Sequence, residues 1–387
     1  MKLKISILVI ILMITAVSLL FFTNPIASNK ENQNLKDAYV GVAFCGNTTA
    51  EAQLLIDRVK SYTNVFVVQS GPVSWNETAT NEICDYATEA GLDIVVYFGD
   101  LNPRILEANG TTWRTNWVNT AKQRWGEKFL GLYYYDEWGG CWTDTDWGNF
   151  TWRSNQNATY DSVADTFTRN IQRELNYVPS RDQFQLFVSD YALYWYVYKG
   201  GYDVVLTQIG WNHTTNQDIA LTRGAATAYG KDWGIIITWK YNQPPYLDTG
   251  ENIYQQMATA YQAGAKYIIL FNYPALEGNN YGIMQNEHFQ AIQDFWKNTT
   301  EGKLKFNTTK AQAAMVLPTN YGWAMRRPDD RIWGFWGADE KSPQIWNTTQ
   351  TLLARYGPAL DIIYDDPNQP ATGKYTQIYQ WNTTITD

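Results

Sequence analysis

The chain of 387 residues has only two histidines, His213 and His288, and three cysteines, Cys45, Cys84 and Cys141. Two isolated histidines without paired spacing exclude a His-rich zinc site, and three cysteines allow at most one internal disulfide. No G-x-S-x-G elbow occurs, which sets aside the common α/β-hydrolase esterase. No phosphate-cradling glycine loop follows the first apolar run, where Cys45-Gly46-Asn47 stands instead, so an open doubly wound sheet is the weaker reading. Positive charge is also short. Thirty Lys and Arg against 38 Asp and Glu leave a net charge of -8, the reverse of the basic face that nucleic acid selects. What the chain does supply is carboxylates and aromatic rings, with 18 Trp and 27 Tyr. Such rings stack on the C–H faces of sugars or pack at a membrane interface.

The amino terminus carries Lys2 and Lys4 ahead of an apolar run from Ile5 to Phe22, broken only by Ser6, Thr15 and Ser18. That run is longer than a usual signal-peptide core and close to spanning length. Residues 1–27 are therefore expected to be a signal anchor, with cleavage near Ala27-Ser28 as the alternative, and 28–37 a polar linker. The basic flank stays inside and the remainder is exported, to the cell surface or beyond. N-x-S/T acceptors at Asn47, Asn76, Asn109, Asn149, Asn157, Asn212, Asn298, Asn307, Asn347 and Asn382 agree with an extracytoplasmic glycoprotein.

From residue 38 to about 300, short apolar β-branched or aromatic runs alternate with segments of helical spacing. Strands are predicted at Tyr39–Phe44, Val65–Val68, Ile94–Phe98, Leu130–Tyr135, Phe184–Val188, Val204–Ile209, Ile235–Trp239 and Tyr267–Phe271. Eight strand-helix units predict a (β/α)8 barrel. Residues 310–387 read as a small α/β domain: strands at Ala313–Leu317, Leu360–Tyr364 and Tyr375–Trp381, and a helix at Pro343–Arg355. The aromatic and charged stretch from Asn320 to Trp336 is expected to pack on the barrel or on a partner subunit, which leaves a homo-oligomer open, or else to be a solvated loop.

In such a barrel the site lies at the carboxyl ends of the strands. There the sequence offers Asp100, Tyr135-Asp136-Glu137-Trp138, Ser189-Asp190, Gln208 with His213 beyond it, Trp239-Lys240-Tyr241-Asn242, Asn272-Tyr273 and, further out, Glu277. Successive strand residues point to opposite sides, so only one of Asp136 and Glu137 is expected to face the axis. A carboxyl among Tyr133, Tyr135 and Trp138 would be partly desolvated and suited to donate a proton. Glu137 is the expected acid, Asp136 its orienting partner and Asp190 the second carboxylate, with Glu277 an alternative. The competing reading makes the acidic pair a helix cap and salt-bridge set facing Lys240. Trp138, Trp239 and Tyr273 are expected sugar platforms, and Asp100, Tyr135, Gln208, Lys240, Asn272 and Glu277 further substrate contacts. The long stretch from Gly139 to Asn157 is expected to be a lid or binding wall. Neither a metal nor a cofactor is expected; a carbohydrate substrate is.

The run Leu130-Gly-Leu-Tyr-Tyr-Tyr-Asp136-Glu137 resembles the fourth-strand motif of the barrel glycoside hydrolases, which implies that Glu137 is the proton donor. The runs Ala313-Ala-Met-Val-Leu-Pro318, Ile345–Tyr356 and Asp361-Ile-Ile-Tyr-Asp365 resemble a shortened glutamine-amidotransferase-like domain, as in the trimeric-family β-galactosidases. Two positions depart from the largest barrel clan. An Asp stands where that clan has an Asn before the donor, and strand seven ends in Trp239-Lys240 where it has a nucleophilic Glu. Either another carboxylate serves, or Glu137 is the only essential acid in a substrate-assisted reaction, or the chain binds glycans or helps build the envelope without cleaving sugars.

Overall fold

In the computed structural model residues 35, 37–145, 158–211, 213–274, 278–371 and 373–385 are described. The eight expected strands form: β1 (Tyr39–Phe44), β2 (Val65–Val68), β3 (Asp93–Phe98), β4 (Phe129–Tyr134), β5 (Gln185–Asp190), β6 (Val204–Ile209), β7 (Asp232–Ile237) and β8 (Tyr267–Asn272). All pair in parallel and close into a barrel, β8 meeting β1 from Tyr39↔Tyr267 to Phe44↔Asn272. Helices cover the outer face, so these strands read as nearly unbroken apolar runs; β6 and β8 are buried at every residue. The seventh strand begins earlier than expected, at Asp232, and Trp239 lies beyond its end.

The helices follow from spacing and caps. In Thr49–Val59 the buried face is Ala52, Leu55, Ile56 and Val59, and Thr48 with Glu51 closes a reciprocal capping box. In Tyr160–Leu175 the buried face includes Val163, Phe167 and Ile171, capped by Thr159 and Ser162.

The carboxy-terminal strands β9 (Ala313–Leu317), β10 (Leu360–Tyr364) and β11 (Gln377–Gln380) form a parallel sheet in the order β10-β9-β11, with one helix, Ser342–Tyr356. Residues Leu35–Asp387 make one compact unit. The joint is polar at its centre: Arg223, from the barrel helix Thr215–Tyr229, bonds the Asp361 carboxyl of β10 at 2.7 Å and donates to the carbonyls of Thr309, Pro358 and Leu360. The 320–336 stretch packs on the barrel. Trp333 meets Phe167 and Tyr196, and Trp336 meets Tyr160.

Among the described residues no helix is long and apolar enough to cross a membrane; the apolar run Ile5–Phe22 lies outside them. All three cysteines are free, so the one disulfide the sequence allowed does not form. Six acceptor asparagines, Asn47, Asn76, Asn109, Asn307, Asn347 and Asn382, are exposed and Asn298 is half-buried, while Asn149, Asn157 and Asn212 lie outside the described residues.

Candidate active site

The carboxyl end of β4 breaks the alternation that governs the strand. Tyr133 faces the barrel interior, its ring edge-on to Tyr97 at 5.4 Å. Tyr134 faces outward, where its hydroxyl accepts the Leu101 N–H. Tyr135 and Glu137 then both take left-handed backbone angles, φ 61° and 54°, costly for side chains of this kind and typical of functional turns. As a result Tyr135 also points outward, bonding Asp100 and Glu174, while Asp136 and Glu137 turn to the same side. The expectation that only one acid faces the axis is therefore corrected.

The two carboxyls join one hydrogen-bond chain across four strands. Tyr133 donates to Asp136 Oδ1 at 2.6 Å and Ser189 Oγ donates to the same oxygen at 2.7 Å. Gln208 Nε2 donates to Ser189 Oγ at 2.9 Å and to Glu137 Oε1 at 2.7 Å. Gln69, just past β2, donates to the Tyr133 hydroxyl at 3.1 Å. Burial and the adjacent Glu137 push Asp136 up to about 7, against the two hydroxyl donors, which favour the ionised form. The Cys141 thiol lies 3.8 Å from Glu137 Oε2. Partial burial, then Glu137, push this thiol up to about 12.

Asp190 does not reach this mouth. Strand parity puts Ser189 inside and Asp190 outside. Its fully buried carboxyl accepts from the backbone N–H groups of Gly139 (2.6 Å), Gly140 (2.9 Å), Tyr191 (2.8 Å) and Ala192 (3.2 Å). These bonds tie the start of the helix Trp138–Asp144 to the end of β5. The contact is too close for larger residues: a Cβ on Gly139 would lie 2.2 Å from the Ala192 carbonyl oxygen, and one on Gly140 2.1 Å from the Tyr191 ring. Burial raises Asp190 to about 7 although four donors favour its charge.

Other expected contacts divide between two faces. Trp138 packs on Tyr135 and donates to the buried Tyr202 hydroxyl at 2.9 Å; with Tyr135 and Asp100 it forms the outer wall of β4, not a platform over the mouth. Asn272 is buried on the outer side of β8, lining a cleft of about 380 Å3 with Phe44, Gly46 and Tyr281. Trp239, by contrast, packs on Phe271 and Tyr273 (ring centroids 5.6 and 5.3 Å), and Phe271 stacks with Tyr273 at 6.2 Å. Phe271 shares parity with Tyr267, whose ring meets Phe187 inside the barrel. These three rings cap β7 and β8, and in an eight-strand ring β8 stands opposite β4. Tyr273 is 44 % exposed. Lys240 bonds through its backbone to Tyr246, and among the described residues no ion pair joins it to either acid. Glu277 lies outside the described residues, as do Trp147, Phe150 and Trp152 of the expected lid. The first part of that stretch, Gly139–Asp144, is helical, and its Asp144 is held by Tyr191 and Arg326 at 2.8 Å each.

Gln69 and Phe271 were absent from the sequence-derived site, and Ser189 stood there at the end of strand five with no role assigned. Parity could have found Ser189 and Phe271, each one residue before the position chosen. Gln69 carries no comparable signal.

No family model matches the chain, and no curated protein matches it in sequence. Among the solved structures that resemble it in fold are two GH5_18 complexes. A GH5_18 variant from Streptomyces cattleya, in complex with Manb1-4GlcNAc, superposes with a TM-score of 0.55 at 12 % identity, over 89 % of this chain and 99 % of that one. A GH5_18 variant from Bifidobacterium longum subsp. longum with the same disaccharide gives 0.53 at 10 %, over 90 % and 99 %. At such identity the likeness is one of architecture: this chain has the closed (β/α)8 barrel of those proteins.

Proposed function

We propose that the chain is a glycoside hydrolase, with Glu137 protonating the leaving oxygen and Asp136 acting beside it on the sugar. One observation carries this reading: two left-handed residues turn both acids to the same side, into one hydrogen-bond chain that faces an aromatic shelf across the mouth. Strained backbone persists only where the surroundings hold it, and it clusters at functional sites. A carboxyl such as Asp136, raised by burial and by the acid next to it, suits acid and base work. The fold shared with two disaccharide-bound GH5_18 structures supports a carbohydrate substrate. Trp239, Phe271 and Tyr273 are its stacking surface and Gln208 fixes the acid. Asp190 becomes a positioning residue that anchors the turn carrying Glu137.

The substrate is a glycan outside the cytoplasm, reached by a chain anchored through Ile5–Phe22 or released from it; six exposed acceptor asparagines support that compartment. Under the same proposal the carboxy-terminal unit is a shortened glutamine-amidotransferase-like domain, a reading that rests on its parallel three-stranded sheet. A non-catalytic glycan binder is the second reading, favoured by Trp239-Lys240 where a nucleophilic carboxylate would stand. Glu137→Gln separates the two. A hydrolase loses on the order of 10²-fold or more in turnover with sugar affinity retained, whereas a binder shows no turnover in either form.

A further inference from the structure

Resting on the glycosidase reading, we infer that the substrate is a 2-acylamino sugar whose own amide oxygen is the nucleophile, with Asp136 receiving the amide N–H and Glu137 protonating the glycosidic oxygen.

A double displacement by the protein needs two carboxyls flanking the scissile bond, one on each side of the anomeric carbon. Asp136 and Glu137 are consecutive, turn the same way and share the Ser189–Gln208 bridge, so they form one wall. Across the ring, the described ends of β7 and β8 present Trp239, Phe271 and Tyr273. Asp190 is buried and capped by four amides, Asp100 is on the outer wall, and Asp144 is paired with Arg326. Among the described residues, no other carboxyl is free to attack from the far side.

Two neighbouring acids match two neighbouring substituents. On a sugar the leaving oxygen is on C1 and the acylamino group on C2, so a wall with adjacent carboxyls meets both at once. Asp136 is prepared for the second task. Tyr133 and Ser189 both donate to Oδ1 and the Glu137 backbone N–H also favours the ionised form, while Oδ2 takes no side-chain donor among the described residues and keeps room for a substrate N–H. The shelf stacks the apolar face of the ring. The steps balance. The amide oxygen forms a bond to C1 as the C1–O glycosidic bond breaks, Glu137 gives its proton to the leaving oxygen, and Asp136 takes up the N–H proton of the cyclised amide. Water then attacks C1, its proton passes to Glu137, Asp136 returns its own and the ring reopens with retained configuration.

The test uses the wild-type protein and therefore does not depend on a variant that folds. Aryl glycosides of N-acetylglucosamine and N-acetylgalactosamine, both anomers, are compared with the corresponding 2-hydroxy sugars. The acetamido series is extended to mono-, di- and trifluoroacetamido. Participation predicts cleavage confined to the acylamino sugars, a rate that falls on the order of 10²-fold from acetamido to trifluoroacetamido, and competitive inhibition by the matching thiazoline. Cleavage of 2-hydroxy sugars, with a covalent 2-fluoroglycosyl adduct on the wild-type protein seen by mass spectrometry, overturns the inference and leaves the glycosidase reading intact. Binding of any of these sugars without cleavage, or neither binding nor cleavage, overturns both.

Discussion

Replacing Asp136 by Asn tests how the site holds its charge. Burial and Glu137 raise this carboxyl from an ordinary 3.8 to about 7. A carboxyl whose folded pKa lies above its unfolded value contributes stability that is complete below about pH 4 and is lost as pH climbs through about 7. A difference of about three pH units at 1.36 kcal/mol each gives an upper value of about 4 kcal/mol, the amount by which ionising Asp136 weakens the fold above pH 7. Asn keeps an oxygen able to accept from Tyr133 and Ser189 and carries no charge. Thermal melts of both proteins from pH 4 to pH 8.5, roughly the window that spans the two pKa values, are expected to coincide at the acid end. They then separate in favour of the Asp136→Asn variant as the pH passes through 5 to 7, by several degrees at the alkaline end. The same variant loses activity on acylamino sugars. A stability difference constant across the whole range refutes the reasoning, because a pH-independent gain is a packing effect and not a charge effect.

Three further perturbations address the scaffold. Asp190→Ala strips the acceptor from four backbone amides, two of them on the helix that starts after Glu137; the expected loss is about 3 kcal/mol in urea unfolding, and a midpoint within error of wild type refutes the cap. Gly140→Ala puts a methyl 2.1 Å from the Tyr191 ring. It is expected to cost about 1–3 kcal/mol, and combining it with Tyr191→Ala should return part of that in a double-mutant cycle; strict additivity rules the contact out as the cause. Arg223→Met leaves Asp361 buried without its partner, with an expected loss of about 3–5 kcal/mol; an unchanged unfolding midpoint means the joint between barrel and carboxy-terminal sheet does not depend on that pair.

The fold was legible because parallel strands covered on both faces are spelled as apolar runs of fixed length. Val204–Ile209, Val65–Val68 and Tyr39–Phe44 have the bounds the sequence predicted. Boundaries drifted where polar residues at strand ends still pair. Ser189 and Asp190 extend β5 past the apolar Phe184–Val188, and Asp232 opens β7 before the isoleucines begin. The direction in which the 320–336 stretch packs was not legible, since aromatics mixed with charges suit a solvated loop, a partner surface and an intramolecular face equally. Its contacts with Phe167 and Tyr196 depend on helices more than a hundred residues away in the sequence.

The site was legible in its acids and not in its geometry, and one physical reason covers most of the difference. Period-two alternation is the only rule the sequence supplies for which strand residues share a face, and it fails where φ turns positive. Under that rule β5 and β8 give Ser189 and Phe271 to the mouth and remove Asp190 and Asn272 from it, so these two corrections needed only stricter use of the pattern. At β4 the same rule sends Asp136 and Glu137 to opposite sides. Nothing in Tyr-Tyr-Tyr-Asp-Glu-Trp signals a left-handed residue, because neither Gly nor Asn stands at Tyr135 or Glu137. The surroundings impose those angles: Ser189 holds the Glu137 N–H through its carbonyl at 2.9 Å, Asp190 holds the two glycines that follow, and Glu174 and Asp100 draw Tyr135 outward. A turn fixed by three neighbouring elements cannot be read from one of them, and this turn sets both acids on a single wall.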